Sequence, residues 1–181
     1  MSATKHRIKV WDPLLRSLHW SLVLCVLANL VNEGGSDWHR RAGYVASAIV
    51  VLRCIWGVVG PRHARFADWW PTPARLLPYL RALLRGQAPR MLGHNPAGAV
   101  MMLVLLMLVM TLGLSGYMMG SDAFWGEEWL EELHEGVANT LIAAVSLHVL
   151  AAIIESIRHR ENLPLAMING YKRAEPTGKS D

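Results

Sequence analysis

Charge is scarce in this chain, and cysteine and phenylalanine are nearly absent. Of 181 residues, 18% are charged, two are cysteine and two are phenylalanine. Ordinary soluble domains carry about 25% charged residues. Cys25 and Cys54 both fall inside apolar stretches, so they read as small buried hydrophobes and no disulfide framework is indicated. A C-x-x-C-H haem-attachment motif is missing, as are an iron–sulfur cysteine cluster and a flavin fingerprint. Dehydrogenase chemistry would therefore have to come from another subunit. No small-x-small cleavage site follows the first apolar stretch, which argues for a retained helix over a cleaved signal peptide.

What the chain does have is hydrophobic length. Apolar residues make up 52% of it, concentrated in four stretches, about Leu14–Asn32, Arg41–Gly60, Pro96–Met119 and Leu133–Ile157. At 1.5 Å rise per residue each is about long enough to cross a ~30 Å hydrocarbon core. The expected fold is an all-α membrane protein, a four-helix transmembrane bundle. Residues 1–172 would form the single domain, and residues 173–181 a flexible tail, with order already fading after about Ile168.

Charge of one sign is scarce on each side of the four stretches. Between the second and third stretches stand Arg62, Arg65, Arg75, Arg81, Arg85 and Arg90 against one acid, Asp68. The N-terminal end brings Lys5, Arg7, Lys9 and Arg16, and Arg158, Arg160, Lys172, Arg173 and Lys179 follow the fourth stretch. The other two connections hold Glu33, Asp37, Asp122, Glu127, Glu128, Glu131 and Glu132, with only Arg40 and Arg41 as cations. The positive-inside rule then places both termini and the central loop in the cytoplasm. The net charge of +4 thus reports topology and contact with anionic membrane lipid, not nucleic acid. The eight tryptophans fall where two interfacial belts would lie. Within the central loop, "PARLLPYLRALLRG" (73–86) alternates leucine and arginine as an amphipathic helix on the cytoplasmic membrane surface would.

Depth sorts the histidines. His39 and His134 open the second and fourth helices and belong to the outer half; His19 and His148 belong to the inner half. His134 and His148 are fourteen residues apart, nearly four turns, so both rings share a face at levels ~21 Å apart. Two imidazoles facing across a bundle core suit the two axial positions of a haem iron, and a twice-ligated iron favours electron transfer over oxygen binding. The expected pairs are His19–His148 and His39–His134, giving two haems stacked across the membrane. For each ring taken alone, a hydrogen bond between helices is the competing reading. Arg16 and Arg53 sit on ligand-bearing faces at the inner level and suit haem propionates, snorkelling to headgroups being the alternative. Gly43, Gly113 and Gly116 read as helix-packing glycines. His6, His63 and His159 read as solvated or headgroup-facing.

Four segments carry a family resemblance: "KVWDPLLRSLHW" (9–20), "WHRRAGYVASAIVVLRCIWGVVGPRHARF" (38–66), "GHNPAG" (93–98) and "LHEGVANTLIAAVSLHV" (133–149). In this order they resemble the prokaryotic cytochrome b561 family, which includes the b-type cytochrome subunits of nickel–iron hydrogenases. The resemblance implies four transmembrane helices in the bacterial cytoplasmic membrane, two haem b groups, and electron exchange between a membrane quinone and a redox partner. The family's ligands fall on His19, His39, His134 and His148, and its "GHNPAG" segment sets His94 near the inner haem or a quinone site. The partner could be a dehydrogenase subunit, or a basic cytochrome c docking on the acidic loop 121–132, which equally reads as an ordinary solvated loop. Three other functions stay open: superoxide oxidation drawn by Arg40 and Arg41 beside His39, anchoring of a hydrogenase-like complex, and haem-free transport of metal ions or protons on the histidines.

Overall fold

Three of the four long helices begin where a side chain takes over an amide the helix cannot satisfy. In the computed structural model, which describes residues 7–32 and 35–174, Asp12 accepts from the Leu15 amide at 3.0 Å and Pro13 opens α1 (Pro13–Val31). Ser36 accepts from the His39 amide at 3.1 Å and starts α2 (Asp37–Val59). Asn95 accepts from the Gly98 amide at 2.7 Å, ahead of Pro96, and starts the third span. These are N-cap bonds to orphan donors, with proline tolerated at the first helical position.

Between the spans, the central segment folds into a short helix α3 (Phe66–Trp69) and the expected amphipathic helix, α4 (Pro73–Leu84). α5 (Pro96–Met119) is followed by a single 3-10 turn, Asp122–Phe124, and α6 (Glu128–Arg158). The chain closes with α7 (Leu163–Asn169) and a strand, β2 (Tyr171–Arg173), paired antiparallel with β1 (Arg7–Lys9).

Four helices are long and apolar enough to cross a membrane: α1, α2, α5 and α6. Their outward faces carry exposed large hydrophobics, among them Leu24, Val58, Met107 and Ile157. Apolar surface on that scale is covered by lipid in a multi-pass membrane protein. The architecture is thus the all-α membrane bundle expected, with one two-stranded ribbon added.

Close helix packing runs α1 against α2, α2 against α5 and α5 against α6; between α1 and α6 the backbones make at most marginal approach. A central apolar layer draws on all four helices: Leu22 and Cys25, Ala46 and Val50, Leu106 and Val109, Leu141 and Val145. At Gly113 a Cβ would fall 1.8 Å from the Ser47 hydroxyl, so only glycine lets α5 approach α2 this closely.

Several boundaries differ from the sequence expectation. α2 starts at Asp37 rather than Arg41, because the Ser36 cap acts before the apolar run begins. α6 starts at Glu128 rather than Leu133: Glu128 and Glu131 occupy its first turn, where carboxylates favour the positive end of the helix dipole. Order does not fade after Ile168. Gly170, at φ 87°, ends α7 in the left-handed conformation and its carbonyl accepts from the Val10 and Trp11 amides at 2.9 and 3.1 Å. Cys54 faces outward rather than into the core. Residues 175–181 of the expected tail, with Lys5, His6, Glu33 and Lys179, lie outside the described residues.

Candidate functional site

The Ser36 cap and the early start of α6 act together on the outer histidines. His39 falls in the first turn of α2 and His134 in the second turn of α6. Their ring centroids lie 6.3 Å apart with planes inclined by 58°. His134 Nδ1 and the Ser115 hydroxyl of α5 are 2.8 Å apart, and Ser115 is buried. That bond fixes the ring's orientation and leaves Nε2 for another partner. A Cβ at Gly116 would sit 3.5 Å from the His134 ring, an ordinary contact, so the ring lies against α5 without requiring glycine there. His39 Nδ1 is buried without a hydrogen-bond partner.

The inner histidines come together less tightly. His19 of α1 and His148 of α6 are within electrostatic reach of one another. Both rings are half-buried, and His19 Nδ1 has no hydrogen-bond partner. His19 and His148 thus stand on α1 and α6, the two spans whose backbones make at most marginal approach.

Around this inner pair the structure gathers groups that sequence reasoning placed only in part. Arg53 is 5% exposed, so it does not snorkel. Its Nη2 donates to the Ala64 carbonyl at 3.1 Å, its guanidinium lies 5.0 Å over the Phe66 ring, and its Nη1 is buried with no partner. Arg16 donates through Nη1 to the Ile168 carbonyl, tying α1 to α7, while its Nε is buried and unpartnered. Arg16 thus has a structural duty beyond the one expected of it, and Arg53 keeps one free donor face.

His94 is the residue the sequence undervalued. The Asn95 cap and Pro96 fix the chain beside it, and its ring packs 4.9 Å from both Trp11 and Trp69. Burial, then the nearby charges of Arg53, Lys172, His148 and His63, push its pKa down from 6.5 to about 3, so it is neutral at physiological pH. Its Nδ1 and the Trp69 indole nitrogen are both buried without partners. The helix-capping Asn-Pro pair beside His94 was the local signal; its tryptophan neighbours come from distant segments.

His63 and His159 are not solvated as expected. Their side chains are 25% and 17% exposed, with Asp68 3.6 Å from His63 and Glu155 3.0 Å from His159. On the outer face, Arg40 is paired with Asp37 at 2.5 Å and Arg41 lies 5.8 Å over Trp38. These two cations are already engaged, which leaves little for an anion funnel.

The donor set suits a planar metal macrocycle better than a bare ion. Among the described residues no three His, Cys, Asp or Glu side chains converge as a metal cage. The histidines come in twos, and a porphyrin supplies the four remaining nitrogens itself. Imidazole nitrogens sharing one metal at about 2.0–2.1 Å put the ring centres roughly 6 Å apart, close to the separation of His39 and His134. The unpartnered Arg53 Nη1 offers the donor a propionate needs.

Comparison with known proteins agrees with this chemistry. Residues 10–170 match the prokaryotic cytochrome b561 family. A probable Ni/Fe-hydrogenase B-type cytochrome subunit from Azotobacter vinelandii is 22% identical over 160 residues, covering 74% of this chain and 66% of that protein. Its namesake from Bradyrhizobium diazoefficiens is 24% identical over 161 residues, covering 75% of this chain and 65% of that protein. The chain thus spans about two thirds of the length of these relatives. No solved structure matches it.

Proposed function

Because this chain belongs to the prokaryotic cytochrome b561 family, and is a membrane b-type cytochrome that carries electrons, we propose that it holds two haem b groups and passes electrons between a membrane quinone and a redox partner. His39 and His134 would ligate the outer haem, His19 and His148 the inner one. The observation that carries this reading is the facing of the His39 and His134 rings at 6.3 Å. Bound haem supplies reversible one-electron iron chemistry at each level.

The chain's own residues do the rest. Ser115 holds the His134 tautomer through Nδ1. Arg53 offers charge and a free donor at the inner level, and Arg16 an unpartnered Nε. The Leu141 layer separates the two levels with apolar packing and keeps water out between them. On this reading both termini are cytoplasmic and the membrane is the bacterial inner membrane, as the arginine distribution supports.

A second reading is supported by the hydrogenase cytochrome subunits among the relatives: the redox partner is a membrane-associated dehydrogenase for which this chain is the electron outlet. A pyridine haemochrome assay against protein concentration tests the cofactor and its count together. Two haem b per chain is expected; one or none refutes the four-ligand reading. Co-purification of a metalloenzyme would favour the dehydrogenase partner over free exchange with a soluble cytochrome.

A further inference from the structure

The β1–β2 ribbon brings like charges face to face. Arg7 and Arg173 are direct cross-strand partners, an arrangement that is destabilising unless something negative lies between them. Arg160 joins them from the turn after α6, held at φ 48°, a conformation uncommon for a long side chain. The turn that imposes it is pinned by the Arg160 amide on the Ile157 carbonyl at 3.2 Å and the Glu161 amide on the Ser156 carbonyl at 3.0 Å. All three arginines line one cavity of about 220 Å³.

Among the described residues, the one acid lining that cavity is already committed. Glu161 takes Arg90 Nη2 at 2.9 Å and Nε at 3.1 Å, and the Arg173 amide at 2.6 Å. Burial alone would raise its pKa, but the Arg173 amide and Arg90 outweigh burial and hold it below the usual range. Its charge is therefore balanced from behind, and the cavity's remaining field is cationic.

A second hollow of about 390 Å³ shares Arg160, Glu161 and Asn162 with the first and runs along Ile153 and Ile157 of α6. Ile157 is 73% exposed, on the outer surface of a spanning helix. A cationic cavity at the end of the bundle thus abuts a hollow that carries Ile153 and Ile157 of a spanning helix.

We propose that the two hollows form one site for an anionic phospholipid, its phosphate among Arg7, Arg160 and Arg173 and an acyl chain along Ile153 and Ile157. The hollow along Ile153 and Ile157 is what selects a lipid over free phosphate. Occupancy would relieve the Arg7–Arg173 repulsion and clamp β1 to the α6–α7 turn. The site is independent of any haem assignment.

Native mass spectrometry of the full-length protein in neutral detergent tests it, with equimolar dioleoyl phosphatidylglycerol and dioleoyl phosphatidylcholine offered together. One phosphatidylglycerol should be retained with about a tenfold or greater preference. The preference should vanish in an Arg7→Gln, Arg160→Asn double variant, asparagine being tolerant of positive φ. An Ile157→Trp variant should retain less of it than the unmodified chain. Equal retention of the two lipids by the unmodified protein would overturn the site, as would an unchanged preference in the double variant. Displacement by inorganic phosphate at the lipid's own concentration would reduce it to a free-anion site and also overturn the proposal. The lipid-against-phosphate comparison on unmodified protein stands even if a variant fails to fold.

Discussion

The two ends of the bundle treat their histidines differently. At the outer end His39 and His134 stand ring to ring, steadied by a single hydroxyl from Ser115, with only a 3-10 turn and an acidic connection nearby. At the inner end His19 and His148 lie under a roof: Trp11, Trp69 and His94 stacked together, Arg53 and Lys172 buried beside them, and the terminal ribbon strapped across. The outer pair is defined by two helices and little else. Near the inner pair, the N-terminal segment and the central loop meet around His94. On the proposed function, the barer end is the one where exchange with a partner needs little rearrangement. The other end has local charge and solvent access set by packed protein.

Removing ligands breaks the comparison most severely. His148→Ala should abolish the inner haem and leave about one haem per chain, while His39→Ala should do the converse. Pyridine haemochrome content and the reduced α band check both, and loss of both haems from either variant would refute the proposed pairing. Next in size is charge. A unit charge ~10 Å away at an effective dielectric near 20 contributes roughly 1.7 kcal/mol, about 70 mV for one electron. Arg53→Gln should therefore lower the inner midpoint by several tens of millivolts and leave the outer one unmoved in a redox titration.

Ser115→Ala removes the one bond supporting His134. A hydrogen bond of this kind is worth about 0.5–1.5 kcal/mol, so a smaller shift should appear, confined to the outer midpoint. The smallest effect concerns acid. Because the folded pKa of Glu161 is depressed, its contribution to stability is present above the ordinary glutamate range and fades as pH falls through the folded value. Thermal unfolding between pH 6 and 3 should show this acid limb flattened in Glu161→Gln. His39→Ala should leave it unchanged, since the roof belongs to the inner end.

Legibility in the sequence followed the same division. Hydrophobic length marks α1, α2, α5 and α6, and the fourteen-residue interval between His134 and His148 is read directly from helix geometry. The outer site therefore needs only two helix faces and a depth. The inner roof depends on contacts between distant segments, and periodicity is blind to these. Nothing local shows that Arg16 reaches Ile168, that Tyr171–Arg173 pairs with Arg7–Lys9, or that His94 sits between Trp11 and Trp69. The early starts of α2 and α6 were hidden for another reason. Ser36 and the glutamates at 128 and 131 are polar residues that serve helix termini, and they resemble loop residues by composition.

The Ser47–Gly113 contact has a consequence for biogenesis. It makes α2 and α5 the spine of a book whose covers are α1 and α6, open on the far edge. The two helical hairpins can enter the membrane and join along that spine before any cofactor arrives, because the spine uses no histidine. If the proposed haems are held as argued, insertion and pairing of the hairpins precede the closing of the histidine pairs.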